Sequence, residues 1–553
     1  MDFKKIIELV ERSYSIEPNY KEIIAGVPED YEKIKTLEDL LNIRYRHISV
    51  TNQLRRNFVR IFKDNQNPYN EIIGYEDDVI PSINRGILAG HDLLLVGQIG
   101  QAKTKIAESI AKNLLSPIPI INGTITNDIP STISKEDLLS LLRDNEIQSN
   151  VPKFIISKDG EEIIRNNGLD TRITWIKGID RFKYILATPD ISVKDLVGQI
   201  DAIKIAKKGV EMYKIDSYSP GQLLQARHGI LCIDELPVLD PRKQVSLLSI
   251  LQEGKFTTSS YPIYFEPNLK IIATSNPIDY THSGKIIEPL FDRFKSHIYT
   301  KYPKDTEEEM LIIVQEIDVI NSHNVILPLF ILKTVSMISY LARKNRDINQ
   351  DKGVSVRMSI HSTEIMISEA ERTRSIKFDL CVVPRYCDIY SIHQTSKFEL
   401  LEIEDNYENR INIVNKIIEN AIKIISTEYL EGIEINIMES IKKEFNENKE
   451  FWISQEYPGG KISKNNINNY VSQLKVYPNL GKLVEQIIIK INEENNNFLE
   501  KIKKYKIQLN GLQFVGQSTN PEYKASIIEL VLEGLRHMDP PILQKKEGKY
   551  EIV

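Results

Sequence analysis

The residues best suited to chemistry stand at Gly97–Thr104. The stretch Leu93–Thr104, LLLVGQIGQAKT, is an apolar run that breaks into a glycine-containing loop and ends in Lys-Thr. It reads as a buried strand, a phosphate-sized loop and the first turn of a helix. Gly97 and Gly100 permit a tight backbone path, while Lys103 and Thr104 stand where amide N–H groups and the helix dipole favour an anion. Against the template G-x-x-x-x-G-K-[ST] the chain offers Gly97-x-x-x-x-Ala102-Lys103-Thr104. Ala102 departs from the pattern, and its Cβ narrows the dihedrals open to it. Taken alone, the loop also reads as an ordinary strand–turn–helix.

Five further residues extend the chemistry. The apolar run GILCID ends in two acids, Asp234 and Glu235. The Thr104 hydroxyl and the Asp234 carboxylate are hard oxygen ligands suited to magnesium, and Glu235 can orient and polarise an attacking water. Asn276 follows the run LKIIATS and can hold the same water or a terminal phosphate. Arg293, between Asp292 and Phe294, and Arg357, in SVRMSIHS, are cations for developing charge. Arg293 reads equally as a surface ion pair with Asp292, and Arg357 as a solvated arginine.

The elements that must position these groups alternate. His91–Val96 is the first core strand, Lys103–Leu115 an amphipathic helix and Pro117–Ile121 the second strand; an elaborated insertion is expected at about 122–194. Gly229–Asp234 and Leu269–Thr274 are further strands, with a helix from Asp240 to Gly254 and a hairpin over Phe256–Phe265 between them, and a last strand lies near His297–Lys301. Strands alternating with helices predict a parallel α/β sheet covered on both faces. Ligands of such sheets bind at the carboxyl ends of the strands. The loop after Val96, the acids after Ile233 and the Asn after Thr274 all fall at such ends. After Pro303 the pattern is helical, and Asn492–Asn497 is the most linker-like stretch. The expected organisation is an N-terminal helical accessory segment 1–46, a nucleotide-binding core 47–302, a helical lid 303–398, a helical region 399–505 and a small C-terminal domain 506–553.

With 553 residues the chain exceeds a single core. Its net charge of −6 gives no reason to expect nucleic acid or an anionic membrane as partner. The three cysteines, Cys232, Cys381 and Cys387, form no C-x-x-C pair and no zinc set, which suits a reducing compartment. MDFKKIIELVERSY carries acids, unlike a signal peptide, and no apolar run reaches transmembrane length. A cytoplasmic location is expected.

The ordered set Gly97…Lys103-Thr104, Asp234-Glu235, Asn276, Asp292-Arg293-Phe294 and Arg357 resembles AAA+ ATPases. More narrowly it is similar to the magnesium-chelatase subunit I and MoxR branch, through Asp195–Ala206 with Ser219–Ala226 before GILCIDEL, the hairpin before Ser275-Asn276-Pro277, and Pro289–Phe294. The resemblance covers about residues 48–395. It implies a P-loop AAA+ core followed by an all-helical lid and a further helical C-terminal region, with ATP and Mg2+ as cofactors. Gly97, Gln98, Gly100, Gln101, Ala102, Lys103, Thr104 and Asp234 would contact the nucleotide, and Thr104 and Asp234 the metal. Glu235 would be the catalytic base, Asn276 sensor 1 and Arg357 sensor 2. Arg293 would act on the nucleotide of an adjacent subunit, which makes a homo-oligomeric ring, usually a hexamer, part of the mechanism. Residues near 197–222 would be an insertion distinguishing this branch.

The leading expectation is a ring that couples ATP hydrolysis to remodelling a partner protein. Two alternatives are the ATPase subunit of a magnesium or cobalt chelatase, and a nucleotide-dependent assembly switch with little turnover. A nucleic-acid motor lacks support, because no helix-turn-helix or GAFTGA-like loop is present. Asp216-Ser217-Tyr218-Ser219 has the wrong spacing for a D-x-S-x-S metal-adhesion motif, so a von Willebrand-type domain would have to come from the partner.

Overall fold

The computed structural model describes residues 3–145, 153–200, 218–253, 255–258, 261–265, 268–277, 285–318, 324–376, 380–401, 407–448, 450–453, 473–517 and 519–553. Most of the stretch near 197–222 that is expected to be an insertion, including Asp216 and Ser217, lies outside the described residues, as does the helix stop expected at Gly254. Two compact units are present: Met1–Gln98 with Ala102–Lys301, and Ile99–Gln101 with Tyr302–Val553.

The first unit is built on five strands: β1 (Leu93–Val96), β2 (Phe182–Leu186), β3 (Ile230–Asp234), β4 (Lys270–Ser275) and β5 (Ser296–Tyr299). They form one sheet in the order β5-β1-β4-β3-β2, and every neighbouring pair is parallel. Strands buried on both faces read as continuous apolar runs, as β1, β3 and β4 do. On one face Leu93, Leu95, Cys232, Ile272 and Ile298 pack against the helices Val50–Lys63, Val79–Leu88 and Lys103–Leu114. On the other, Leu94, Leu231, Ile233, Ile271 and Ala273 meet Leu223, Leu236, Leu247, Leu290 and Phe294. The parallel sheet with helices on both faces is thus as the sequence predicts.

The second strand is a correction. Ile118–Ile121 is a strand, but it pairs antiparallel with Ile173–Ile176 outside the five-stranded sheet. The parallel neighbour of β3 is β2, within the stretch expected to be insertion. FKYIL mixes Lys and Tyr with apolar residues because β2 is a sheet edge, with Ile185 buried and Tyr184 and Leu186 exposed. Arg181, fully buried, anchors its start. Nε donates to the His228 carbonyl at 2.8 Å and Nη1 to Gln53 Oε1 at 2.9 Å, and Nη1 also reaches the Ser116 carbonyl. Gly229 answers this closeness, since a Cβ there would stand 2.0 Å from the Arg181 carbonyl oxygen.

A third core joins the N-terminal segment to the insertion. Val10, Leu37, Leu40 and Tyr45 pack with Ile118, Ile129, Leu138, Ile164 and Ile173. The N-terminal segment is therefore helical only in part, carrying Phe3–Ser15 and Leu37–Asn42 with a small hairpin of Glu22–Ile24 and Val27–Pro28 between them.

The second unit is mainly helical: Thr306–Glu316, Leu329–Ala342, Val356–Ala370, Tyr407–Leu430, Ile435–Asn448, Pro478–Lys504 and Pro521–His537 are its longer helices among the described residues. Pro521–His537 packs on Tyr407–Leu430 and on Pro478–Lys504. Asn492–Asn497 is not a linker but lies inside Pro478–Lys504. The apolar stripe of Leu480, Val484, Ile487, Ile491, Phe498 and Ile502 runs through it, and buried Asn495 donates to the Phe514 carbonyl at 2.8 Å. Tertiary burial overrides the low helix propensity of asparagine. A π-turn, Glu371–Ser375, continues Val356–Ala370. It places Arg374 in a buried network with Asp388, at 2.6 Å and 2.9 Å, and with Glu522 at 2.9 Å.

Candidate functional site

β1 delivers the loop. Gly97 N–H donates to the Ser275 carbonyl at 3.0 Å, which ties the start of the loop to the end of β4. The loop closes at Ala102, the N-cap of helix Lys103–Leu114, with φ 53° and ψ 20° and no side-chain cap. This is the left-handed region that glycine enters freely. The chain therefore keeps the backbone path that the template glycine would take, with a methyl group on it. Lys103 Nζ folds back on the loop, donating to the carbonyls of Gly97 at 2.5 Å and Gln98 at 2.9 Å. Gln101 is buried.

Three hydroxyls converge on the Asp234 carboxylate at the carboxyl end of β3. Thr104 Oγ1 donates to Oδ2 at 3.2 Å, Tyr184 from β2 donates to the same oxygen at 2.9 Å, and Thr274 from β4 donates to Oδ1. Thr274 also accepts from the Glu235 N–H at 3.0 Å. That bond accompanies a left-handed Glu235 backbone (φ 55°, ψ 44°), and the residue is exposed. Asn276 follows β4 directly and is half-buried. Burial first, then the Asp234 carboxylate, pushes the Tyr184 phenol up to about 12.

The residues fit the ligands that the sequence implies. A threonine hydroxyl within hydrogen-bond distance of a carboxylate supplies the hard oxygens magnesium prefers. A loop of backbone amides ending in Lys-Thr at a helix start suits a polyphosphate. Thr104, Asp234, Glu235 and Asn276 come together at the carboxyl ends of β3, β4 and the loop after β1.

Arg293 is not among them. It closes the helix Glu288–Arg293, and its Nη1 lies 3.0 Å from Asp92 Oδ2, the residue before β1. The Asp92 carboxylate also accepts from the Ile271 N–H at 3.0 Å and lies 3.7 Å from Lys270 Nζ. This cluster sits at the amino ends of β1 and β4, across the sheet from the loop. The ion-pair partner in the structure is thus Asp92 rather than Asp292. Arg357 lies in the second unit, exposed in the first turn of Val356–Ala370, its N–H on the Ser355 hydroxyl at 3.2 Å.

Tyr184, Thr274 and Asp92 escape the sequence reading. Thr274 carries a visible signal, as a hydroxyl residue ending an apolar strand two positions before Asn276. Tyr184 carries none, because its strand is hidden in the polar stretch.

A parallel 5-1-4-3-2 sheet with a phosphate-type loop after β1 and an acid pair after β3 defines a P-loop nucleotide-binding core. A family profile described as AAA domain (dynein-related subfamily), AAA_5, matches residues 176–294, which includes β2 through Arg293. The uncharacterized protein YeaC of Bacillus subtilis is 27% identical over 24% of this chain and 39% of its own length. Magnesium-chelatase subunit ChlI of Porphyra purpurea is 25% identical over 45% of this chain and 61% of its own. The chain thus spans less than two thirds of both relatives. A solved complex between subunits BchI and BchD of magnesium chelatase is 18% identical, covering 57% of this chain and 78% of that one, with a TM-score of 0.30. Residues 176–294 are thus similar to the AAA domain family, and the chain is similar at low identity to magnesium-chelatase subunit ChlI. Among the described residues no helix is long and apolar enough to cross a membrane.

Proposed function

We propose that the chain hydrolyses ATP with magnesium and works as a homo-oligomeric ring that remodels or activates a partner protein. The observation that carries this reading is the meeting of Thr104, at the start of the helix after the loop, with Asp234 beside Glu235. Phosphoryl transfer is largely a matter of positioning and charge neutralisation, and each of these residues has a part in it. Lys103 binds the terminal phosphates, exchanging its loop carbonyls for their oxygens. Thr104 and Asp234 hold magnesium, which neutralises phosphate charge. Glu235 takes the proton of the attacking water, and Asn276 orients that water. Arg293 faces away from its own loop, as a residue serving a neighbour's nucleotide does. Arg357, on the proposed lid 303–398, senses the nucleotide. A chelatase motor role and a partner carrying a von Willebrand-type domain are narrower versions, supported by the likeness to ChlI alone.

The test is turnover by the purified chain. Magnesium-dependent ATP hydrolysis is expected, with Lys103→Ala and Glu235→Gln abolishing it. Co-purification of Glu235→Gln protein with ATP should trap the remodelled partner. Unchanged turnover in Glu235→Gln protein refutes the mechanism.

A second reading, an assembly switch with little turnover, is favoured by Ala102, whose methyl group sits where the template has none. Tight ATP binding with negligible hydrolysis, at concentrations where the chain oligomerises, would distinguish it.

A further inference from the structure

The edge strand β2 contributes to the site a residue that the phosphate loop, the acid pair and the asparagine do not account for. Tyr184 pairs in register with Cys232, two residues before Asp234. The register places its ring on the face of β3 that leads to the carboxylate. Tyr184 is 47% exposed, so it does not fill the core, yet its hydroxyl donates to Asp234 Oδ2 at 2.9 Å. The same oxygen accepts from Thr104, and the other oxygen is held by Thr274.

These three donors are not equivalent. Thr274 is fully buried and also holds the Glu235 N–H, so it fixes Oδ1 from within the sheet. Thr104 is itself a magnesium ligand in the proposed mechanism. A hydroxyl has lone pairs beside its hydrogen, so Thr104 can serve the cation and still donate to Asp234, and its place is tied to the loop and the cation together. Tyr184 is the donor on Oδ2 that belongs neither to the loop nor to the proposed ligands of the cation.

We propose that Tyr184 is a positioning residue that holds the Asp234 carboxylate in the orientation required for magnesium, acting from the edge strand through its hydroxyl. The inference rests on the ATPase reading above. It predicts a specific defect. Outer-sphere partners of a ligating group typically set metal affinity by about 10- to 100-fold, and a half-exposed hydroxyl belongs at the lower end of that range.

Tyr184→Phe removes only the oxygen. Retention of a fluorescent N-methylanthraniloyl ATP is measured as free magnesium is titrated, beside steady-state hydrolysis and thermal unfolding of the same preparations. In the variant, the magnesium concentration for half-maximal retention rises by about 10-fold. Retention and kcat at saturating magnesium stay within about twofold of the parent, and the unfolding temperature is unchanged. Tyr184→Gln, which restores a donor of shorter reach, recovers part of the loss. An unchanged magnesium midpoint in Tyr184→Phe overturns the assignment while leaving the ATPase reading intact. A lowered midpoint overturns it too, because Tyr184 would then be competing with the cation for Oδ2. Parent protein that retains no nucleotide at any magnesium concentration refutes the ATPase reading itself and this assignment with it.

Discussion

Ala102 holds a left-handed backbone at the N-cap of the helix that begins with Lys103 and Thr104. For an L-residue with a Cβ that conformation costs roughly 1–2 kcal/mol. Ala102→Gly removes the strain and restores a larger unfolded-state entropy, worth about 0.4–1 kcal/mol in the opposite direction. The net expectation is stabilisation of up to about 1.6 kcal/mol, seen as a rise in the unfolding temperature of the first unit of about 2–4 °C per kcal/mol gained. A fall would show that the methyl group makes compensating contacts. The neighbouring acid pair was legible as sequence because an apolar run rarely stops on Asp-Glu without cause. Its supports were not. Thr274 and Tyr184 act only through the register of β4 and β2 against β3, and no local pattern encodes that register.

At the scale of elements, the strands that could be read were those buried on both faces. β1 is LLLV, and β3 (ILCID) and β4 (KIIATS) carry unbroken apolar stretches, whereas β2 shows its edge position as a mixed FKYIL. Its placement depends on Arg181, whose burial, the largest influence on it, lowers its pKa to about 9. Arg181→Leu strips donors from the His228 and Ser116 carbonyls and from Gln53, and should cost about 3 kcal/mol in denaturant unfolding. A loss under about 1 kcal/mol would mean that water replaces the guanidinium.

Close by, the Asn268 amide donates to His47 Nε2 and His228 Nδ1, both at 2.8 Å, while its oxygen accepts from the Val50 N–H at 3.2 Å. Both rings are thereby held neutral. Burial, reinforced by Arg181 and Arg227, lowers His47 to about 3, and burial with Arg227 takes His228 well below its usual range. Below about pH 6.5 the unfolded chain binds protons that the folded chain refuses, so stability falls as pH drops from there towards 3. Each ring contributes a slope of up to about 1.4 kcal/mol per pH unit. Denaturation midpoints at pH 7 and pH 5 should differ accordingly, and His47→Phe should remove one proton's share. A midpoint independent of pH across that interval would contradict the neutral pair.

For the whole molecule, the position of Arg293 bears on whether the proposed site draws its residues from one chain or two. It is held by Asp92 at the amino ends of the strands, while Thr104, Asp234 and Glu235 gather at the carboxyl ends. A single chain therefore separates Arg293 from the other residues of the proposed chemistry, and the proposed ring, closed head to tail, would reunite them. Arg293→Ala is expected to lose on the order of 10^3-fold in turnover. The fold should survive, because Asp92 keeps the Ile271 N–H at 3.0 Å and Lys270 at 3.7 Å. Loss of activity alone does not show that the arginine serves a neighbour, but mixing does. Arg293→Ala chains retain Glu235, and Glu235→Gln chains retain Arg293. In an equimolar, randomly mixed ring about a quarter of the interfaces join an intact acid to an intact arginine. Two inactive preparations should then recover activity on mixing, towards about a quarter of the parent's where interfaces act independently. The recovery should grow with protein concentration as rings assemble. A mixture as inactive as its components, at concentrations where sedimentation shows mixed oligomers, would confine Arg293 to the ion pair with Asp92.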